Sequence, residues 1–345
     1  MRAAIIGATG YGGAELVRIL HSHPKCEVVS VHSSSQSGIE YKNSYMHTQD
    51  RTPFVLESID AYEIAKKADI VFMATPAGIS SKLTPEMVDA GLKVIDLSGD
   101  LRIKNLQDYE KWYKKAAAPK SVVEEAVYGL SEWSKESVRT AKVVANPGCY
   151  PTATLLGIVP LVNKDLIKLS TLIIDAKSAV SGAGRSPSEV THFPEMNDNF
   201  RIYKVNQHQH IPEIEQMLTS WSEEKTPISF NTHLVPMTRG IMATMYAQLK
   251  NAENSESIHD LYNEIYEDSP FVRIRPLGTF PSTKEVYGSN FCDIGLSYDE
   301  RTNRVIVVSV IDNLMKGAAG QAVQNLNIMM GIEETTGLDF IPVYP

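Results

Sequence analysis

One cysteine of this chain stands where an enzyme nucleophile is commonly found. Cys149 follows an Asn-Pro-Gly turn at 146–148, and the apolar run 143–145 before that turn predicts a strand end. Pro151 suits the first turn of a helix that continues beyond it. The N-terminus of such a helix favours the thiolate, which is the form that attacks carbonyl carbon. A buried structural cysteine is the alternative, and the turn and helix start favour a nucleophile.

Two histidines could move the protons that thiol chemistry requires. His208 and His210 precede the segment 211–213, and in an extended chain both imidazoles would project from one face. A surface or structural role is the alternative for such a pair. Two histidines without a third ligand do not make a zinc site, so we predict no metal.

A glycine-rich turn begins directly after the first apolar run. The sequence GATGYGG at 7–13 follows residues 3–6 and opens a helical pattern, whereas a plain tight turn would be the alternative. At this place a pyrophosphate can approach backbone N–H groups at a helix N-terminus. We expect dinucleotide contacts from Gly7, Ala8, Thr9, Gly10, Tyr11, Gly12 and Gly13.

The loop after the second predicted strand indicates which nucleotide binds. An NAD site usually has an acidic residue there to hold the ribose hydroxyls, but residues 32–36 read His-Ser-Ser-Ser-Gln. No carboxylate would repel a 2′-phosphate, and Lys42 is the nearest cation. A solvated turn is the alternative. We predict NADP, held by the hydroxyls of Ser33, Ser34 and Ser35.

Further anion contacts are expected at two other strand ends. Arg102 follows the run 94–97, where folds of this kind bind ligands, and an ion pair with Asp100 is its alternative role. The loop 178–185 could wrap phosphate or nicotinamide with backbone N–H groups, or simply be flexible. His233 and Arg239 are weaker candidates, because an isolated basic residue near a strand commonly stays solvated.

The elements that must position these residues differ between the two parts of the chain. Short apolar runs alternate with helical patterns in the first hundred residues, which predicts a parallel sheet wrapped by helices. We predict a peripheral helix and loop over 105–139, and an amphipathic helix over 316–331 that returns to the first domain. After the cysteine, longer strands are predicted at 171–176, 228–234, 242–249 and 304–311.

We therefore predict two domains, as the length of 345 residues favours. The first is an α/β, Rossmann-type parallel-sheet dinucleotide domain over 1–148 and 314–345. The second is an α+β catalytic and oligomerisation domain over 149–313.

Bulk composition excludes several classes of protein. A net charge of −8 argues against a nucleic-acid binder. The cysteines, Cys26, Cys149 and Cys292, are odd in number and form no CxxC pair, which fits a reducing compartment. Apolar runs are too short for a signal sequence or a membrane span. We expect a cytoplasmic protein with no membrane or nucleic-acid partner.

Six segments, in this order, resemble the N-acetyl-γ-glutamyl-phosphate reductases: GATGYGG at 7–13, NPGCYPT at 146–152, SAVSGAGR at 178–185, HQHIPEI at 208–214, HLVPMTRGI at 233–241 and DNLMKGAAGQA at 312–322. The resemblance spans nearly the whole chain and implies NADPH. It implies a reaction of arginine biosynthesis in which Cys149 attacks an acyl phosphate and phosphate leaves. Hydride from NADPH then reduces the thioester to a hemithioacetal, which collapses to the semialdehyde, and a histidine transfers the proton.

The same resemblance implies roles for individual residues. The resemblance places the acid/base histidine in the segment 208–210, which leaves His208 and His210 open; we favour His210, with the other histidine in contact with substrate, and both join Cys149 in the predicted catalytic set. Asn313 is expected near the nicotinamide with Ser181 and Gly182. Substrate contacts are expected from Arg102, Asn146, Ser178, Gly182 and His208. A homo-oligomer, dimer or tetramer, is also implied. The chain departs from the family's usual basic residues at Gln209 and in the loop that contains Gln36.

Three other functions remain open from the sequence. An aspartyl-phosphate reductase shares the chemistry, although its usual Gly-His is Gly240-Ile241 here. N-acetyl-aminoadipyl phosphate differs by one methylene, which changes discrimination by only about 1–3 kcal/mol. A non-catalytic NADP-binding sensor belongs to a different class, and it would not need both a helix-capped thiol and a histidine pair.

Overall fold

The computed structural model describes residues 1–222 and 224–345. The chain forms two compact units. The first contains Met1–Pro147 and Ala318–Asp339, and the second contains Gly148–Gly317 and Phe340–Pro345. Residues 314–317 and Phe340–Pro345, which the sequence predicts in the nucleotide domain, thus belong to the second unit. In this tail the N–H of Val343 donates to the carbonyl of Tyr287 at 2.9 Å.

The first unit is built around a parallel sheet. Its elements are β1 (Arg2–Ile6), α1 (Tyr11–His21), β2 (Glu27–His32), β3 (Leu56–Glu57), α2 (Ala61–Lys67), β4 (Ile70–Met73), α3 (Ser80–Asp89), β5 (Lys93–Asp96), α4 (Leu106–Tyr113), α5 (Lys120–Glu125), β6 (Val127–Tyr128), α6 (Ser131–Thr140) and β7 (Val143–Ala145).

The seven strands lie in the order β3-β2-β1-β4-β5-β7-β6, and every neighbouring pair is parallel. The central strands are continuous apolar runs because helices cover both faces of such a sheet. The strand order reverses between β1 and β4, where open α/β sheets bind ligands at the carboxyl ends. The predicted Rossmann-type domain is confirmed.

The second unit contains a mixed sheet. Its elements are α7 (Cys149–Asn163), β8 (Ile173–Ala179), α8 (Phe193–Met196), β9 (Arg201–Tyr203), α9 (Ile211–Ser222), β10 (Ser229–Val235), β11 (Ile241–Gln248), α10 (Ser255–Tyr266), β12 (Val272–Ile274), β13 (Cys292–Asp299) and β14 (Arg304–Ile311). The strand order is β12-β13-β14-β11-β8-β10-β9, with parallel and antiparallel pairs. The α+β class is confirmed.

Helix α7 fixes the cysteine to the core of this unit. All its residues from Tyr150 to Val162 are buried. At Gly157 the helix approaches the sheet so closely that a Cβ there would lie 2.4 Å from the Cε of Met245. The helix start therefore belongs to a rigid element rather than to a surface loop.

Two sequence-based predictions about helices are wrong. The segment 105–139 contains α4, α5 and most of α6, which have 8, 6 and 10 residues and are too short to show a clear hydrophobic period. The side chain of Asn105 caps α4. The C-terminal helix is not amphipathic. It begins as a π-helix (Met315–Ala319) and continues as α11 (Gly320–Met330), whose residues from Gly320 to Met329 are all buried in the first unit.

Amides explain how α11 can be polar and buried. Asn325 donates to the carbonyl of Gly129 at 2.8 Å and accepts from the hydroxyl of Ser131 at 2.9 Å. The Oδ1 of Asn327 accepts from Nε2 of His23 at 2.9 Å. Buried amides are tolerated where hydrogen bonds satisfy them.

Within the described residues, none of the helices is long and apolar enough to cross a bilayer.

Candidate active site

The thiol lies at the first residue of a helix. Cys149 begins α7, and Gly148 before it has the extended conformation of an N-cap. Cys149 is half-buried, whereas Cys26 and Cys292 are buried. The N–H groups of a first helical turn have no intrahelical acceptor, and their dipoles stabilise an anion placed at that end. This arrangement can support a reactive thiolate.

A buried glutamate holds the turn before the thiol. Glu213 of α9 is fully buried, and its Oε1 accepts the N–H of Gly148 at 2.8 Å. Sequence reasoning quoted this residue without giving it a role. Its position three residues after His210, at the start of a helix, was the available signal.

The two histidines lie together, in a turn rather than in the extended conformation that the sequence analysis considered. They occupy the turn before α9, with ring centroids 4.7 Å apart, and the N–H of His210 donates to Nδ1 of His208 at 3.2 Å. This contact assigns the proton of a neutral His208 ring to Nε2. Burial, and then the charge of Lys204, lowers the pKa of His208 to about 3. His208 is therefore neutral near pH 7.

Tyr150 joins the histidine pair to the thiol helix. Its ring meets those of His208 and His210 edge-on, at 5.4 and 6.1 Å between centroids. Its hydroxyl donates to the carbonyl of His233 and accepts from Tyr203, both at 3.2 Å. Burial raises the pKa of the Tyr150 phenol far above its ordinary value, so this tyrosine stays neutral. The sequence analysis missed it, although it follows Cys149 directly.

Four predicted ligand-binding residues meet at the end of β8. Asn313 accepts the N–H of Gly240 at 2.7 Å and donates from Nδ2 to the hydroxyl of Ser181 at 2.9 Å. A Cβ on Gly182 would lie 3.1 Å from the Oγ of Ser178 and 3.8 Å from Nδ2 of Asn313. The loop at 181–182 is thus tied to Asn313. Ser178 lies in the strand rather than in the loop.

Arg102 and Asn146 form a second group, in the first unit. Arg102 donates from Nε to the carbonyl of Asn146 and from Nη2 to that of Leu97, both at 2.8 Å. Asn146 donates to the carbonyl of Ala318 and accepts from Nδ2 of Asn325, both at 3.1 Å. Both side chains are buried and anchored to backbone. Asn325 was missed because a helical amide carries no local signal of its partners.

Asp100, which the sequence analysis considered as an ion-pair partner of Arg102, accepts hydrogen bonds from several groups. Asp100 is buried and accepts from the N–H groups of Gly78 and Ser81, and from the hydroxyl of Tyr109 at 2.6 Å. Nearby Asp96, at the end of β5, is also buried, and burial followed by the charge of Asp100 raises its pKa to about 6. This edge of the sheet therefore carries two buried carboxyl groups.

The glycine turn has the shape that a pyrophosphate requires. Gly7 has φ of +82°, and a Cβ there would lie 2.3 Å from the carbonyl oxygen of Ala74. A Cβ on Gly13 would lie 2.3 Å from the oxygen of Gly7, whereas one on Gly12 would meet no atom within 4 Å. Gly10 caps α1, whose first turn has no acidic residue. The cradle fits a dinucleotide.

The loop after β2 has serines at different exposures. Ser33 is buried and donates its N–H to the carbonyl of Glu57 at 3.2 Å, while Ser34 and Ser35 are exposed. The ring of His32 is held by the carbonyl of Ser58 and the hydroxyl of Ser30, and burial lowers its pKa. Ser34 and Ser35 are therefore accessible to solvent.

Comparisons with known proteins agree with this geometry. Residues 2–141 match a model described as semialdehyde dehydrogenase, NAD binding domain, and residues 149–313 match semialdehyde dehydrogenase, dimerisation domain. An N-acetyl-gamma-glutamyl-phosphate reductase from Bacillus cytotoxicus is 58% identical over 345 residues, which is all of both chains. One from Bacillus cereus (strain AH187) is 59% identical over 344 residues, with 100% of both covered.

The chain belongs to the N-acetyl-gamma-glutamyl-phosphate reductase family. Solved structures agree on the fold. Aspartate semialdehyde dehydrogenase II from Vibrio cholerae gives a TM-score of 0.72 at 17% identity, over 96% of this chain and 98% of that one. Aspartate semialdehyde dehydrogenase with NADP from Candida albicans gives 0.66 at 16%, over 95% and 98%. At such identities these neighbours establish the architecture alone.

The structure shows an ion pair that the sequence analysis did not predict. Arg239 was expected to be solvated, but its Nε lies 3.0 Å from Oδ2 of the fully buried Asp312. Asp312 also accepts the N–H groups of Gly288, Leu314 and Met315 at 2.7–3.0 Å. A buried carboxylate needs such partners, so Arg239 is part of the framework before the π-helix.

Among the described residues, no group of histidine, cysteine and carboxylate side chains is placed to hold a metal.

Proposed function

We propose that this chain reduces N-acetyl-L-glutamyl 5-phosphate to N-acetyl-L-glutamate 5-semialdehyde and phosphate, with NADPH as reductant, in arginine biosynthesis. The observation that carries the proposal is the half-buried Cys149 at the start of α7, in a chain whose full-length relatives bear this enzyme's name. The reaction class is that of an aldehyde-forming oxidoreductase acting on an acyl phosphate.

Cys149 acts first, as a thiolate. Its sulfur attacks the acyl carbon, the C–O bond to phosphate breaks, and a thioester with Cys149 remains. A bound nicotinamide supplies the hydride that reduces this thioester to a hemithioacetal. Collapse of the hemithioacetal returns the electron pair of the C–S bond to Cys149 and releases the semialdehyde. The helix N-terminus stabilises the thiolate both as the attacking and as the leaving group.

We assign the proton transfers to His210. His208, whose pKa is about 3, stays neutral at neutral pH, and its basic nitrogen Nδ1 already accepts the N–H of His210, so this ring is a poor proton carrier. This hydrogen bond orients the turn that carries both rings. In this role His208 contacts the substrate and positions His210. Glu213 fixes the other end of the site through the N–H of Gly148.

Anion binding is assigned to the residues that the sequence predicts for it. The guanidinium of Arg102, already oriented by two carbonyls, would contact the phosphate of the substrate, and Asn146 would orient Arg102 in addition to its predicted substrate contact. Ser178 and Gly182 would contact the acyl group. Residues 7–13 would hold the pyrophosphate, with Ser181, Gly182 and Asn313 near the nicotinamide.

The cofactor is a nicotinamide dinucleotide, and we propose NADP in particular. Support comes from the absence of a carboxylate among residues 33–36 and from the exposure of Ser34 and Ser35. An acidic side chain at this point would repel the 2′-phosphate.

Two further statements about the protein in its cell remain proposals. The match of residues 149–313 to a dimerisation domain supports a homo-oligomer, for which the sequence predicts a dimer or a tetramer. A cytoplasmic location also stays a prediction.

A substrate panel run in the reverse direction tests the function. Phosphate-dependent reduction of NADP, and separately of NAD, is measured with N-acetyl-glutamate semialdehyde, aspartate semialdehyde and the N-acetyl-aminoadipate homologue. We expect activity confined to the glutamate compound and higher with NADP. Preference for either other aldehyde would refute the substrate assignment, and absence of all activity would favour the non-catalytic NADP-binding sensor.

A further inference from the structure

Gly317, in the π-helix, lies directly against the residue that carries the thiol. An ideal Cβ on Gly317 would lie 2.8 Å from the Cβ of Cys149 and 3.3 Å from its Cα. It would also lie 3.3 Å from Cδ1 of Ile311. The Cα and Cβ of Cys149 move only with the backbone. A rotamer change of a side chain therefore cannot make room for a methyl group at 317.

Both sides of this contact are held in place. On one side, Glu213 accepts the N–H of Gly148, and α7 is buried from Tyr150 to Val162. On the other side, Asp312 accepts the N–H groups of Leu314 and Met315, and its own carbonyl accepts the N–H of Gly317 at 3.0 Å. Neither element can retreat without loss of buried hydrogen bonds.

The π-helix itself brings Gly317 into this place. A π-turn contains one residue more than an α-turn would, and such turns are frequent at functional sites. Here it spans Met315–Ala319 and precedes the regular α11. Arg239 neutralises the Asp312 carboxylate at the start of the segment, at 3.0 Å.

We propose that Gly317 is a positioning residue for Cys149. The missing side chain lets the two backbones meet, which fixes the Cβ of Cys149 and so directs its sulfur at the N-terminus of α7. The inference rests on the proposed role of Cys149 as nucleophile. A methyl group at 317 would shift the thiol relative to the helix dipole and to the substrate, and a displacement of about 1 Å can lower a rate about hundredfold.

The first test compares Gly317→Ala with Gly157→Ala. The control adds the same methyl group at a tight position of the same helix, against Met245 and away from the thiol. The readouts are the pH profile of Cys149 alkylation by iodoacetamide, kcat, and the melting temperature. Cys26 and Cys292 are buried, and burial raises the pKa of Cys26 to about 11, so alkylation reports on Cys149.

We expect Gly317→Ala to shift the alkylation profile to higher pH and to lower kcat about tenfold or more, at a melting temperature matched by Gly157→Ala. Gly157→Ala should keep the wild-type profile. Equal profiles in wild type and Gly317→Ala, with kcat within about twofold, would overturn the proposal. Alkylation does not depend on turnover, so an inactive wild type whose profile still responds to Gly317→Ala would refute the function and keep the positioning role.

A second comparison covers the case in which Gly317→Ala unfolds. In a Cys149→Gly background the Cβ partner is absent, and the methyl group at 317 meets the 3.3 Å contacts alone. We expect the double variant to recover most of the melting temperature that Gly317→Ala loses in the wild-type background. Equal losses in both backgrounds would show that the two residues are not coupled and would overturn the proposal.

Discussion

Cys149, His208 and Glu213 each have a different physical property on which the proposed reaction rests. Cys149 depends on its place at a helix start, His208 on burial that keeps it neutral, and Glu213 on a hydrogen bond to the turn. The sequence could predict the first, because an Asn-Pro-Gly turn and an apolar helix are local signals. It could not predict the other two, because burial and partners arise from distant elements.

Replacement of Cys149 by serine should abolish turnover and leave NADP binding intact. The hydroxyl has a much higher pKa than the thiol and is not activated enough by a helix N-terminus to form the acyl intermediate. Turnover is measured by NADPH formation, and binding by fluorescence titration. Retention of more than about a tenth of the wild-type rate would exclude covalent catalysis by this residue.

The two histidines should differ when each is changed to asparagine. Loss of a general acid/base lowers kcat about hundredfold or more, so His210→Asn should affect kcat. His208→Asn should act mainly on KM, because we propose that the neutral His208 contacts the substrate and positions His210 instead of transferring a proton. Steady-state kinetics of both variants decides the assignment, and a larger fall of kcat in His208→Asn would reverse it.

At the scale of the element, some glycines of the turn 7–13 are required by the fold, whereas Gly12 is not. Gly7 and Gly13 have no room for a Cβ, while Gly12 meets no protein atom within 4 Å. Alanine at 12 should therefore raise or preserve the melting temperature, since it removes a glycine from α1 at a gain of up to about 1 kcal/mol. Its methyl group would occupy the space of the pyrophosphate.

We accordingly expect Gly12→Ala to raise the Kd for NADPH about tenfold without loss of stability. Titration calorimetry and thermal melting measure the two quantities on the same sample. Gly7→Ala is the matched comparison and should lose both, because φ of +82° and the Ala74 carbonyl exclude a side chain. Unchanged affinity in Gly12→Ala would show that the cofactor binds elsewhere.

The strands β1, β2, β4, β5 and β7 of the nucleotide unit were predictable, whereas the helices α4 to α6 and the C-terminal segment were not. These strands are short, mostly apolar runs, and all but β2 have a glycine or proline within three residues of their end, which are local signals. The residues Gln321, Gln324, Asn325 and Asn327 are polar yet buried, and their spacing imitates the exposed face of an amphipathic helix. Only the partners, such as Gly129 and Ser131, show why these amides are inside.

For the whole molecule, the buried His208 contributes a loss of stability in acid. The pKa of His208 is about 3 in the fold, against about 6.5 in an unfolded chain. Between these values the unfolded state binds a proton that the folded state does not, so the free energy of unfolding falls as pH falls from about 6.5 towards 3. At pH 5 this ring alone lowers stability by about 1–2 kcal/mol.

The melting temperature of wild type should therefore drop further between pH 7 and pH 5 than that of His208→Gln. Differential scanning calorimetry at the two pH values measures the difference. Asp96, whose pKa is raised to about 6, acts in the opposite direction between about 6 and 3.8, but equally in both proteins. An identical drop in the two proteins would contradict the neutral, buried state of His208.

The central claim is a thioester on Cys149, and one measurement tests it most directly. The protein is mixed with N-acetyl-glutamate semialdehyde and NADP in phosphate-free buffer, and the NADPH burst and the mass of the Cys149 peptide are recorded. We predict one NADPH per chain, an acyl group on Cys149, and its release with further turnover when phosphate is added. Steady NADPH formation without phosphate, or an acyl group on another residue, would contradict the account.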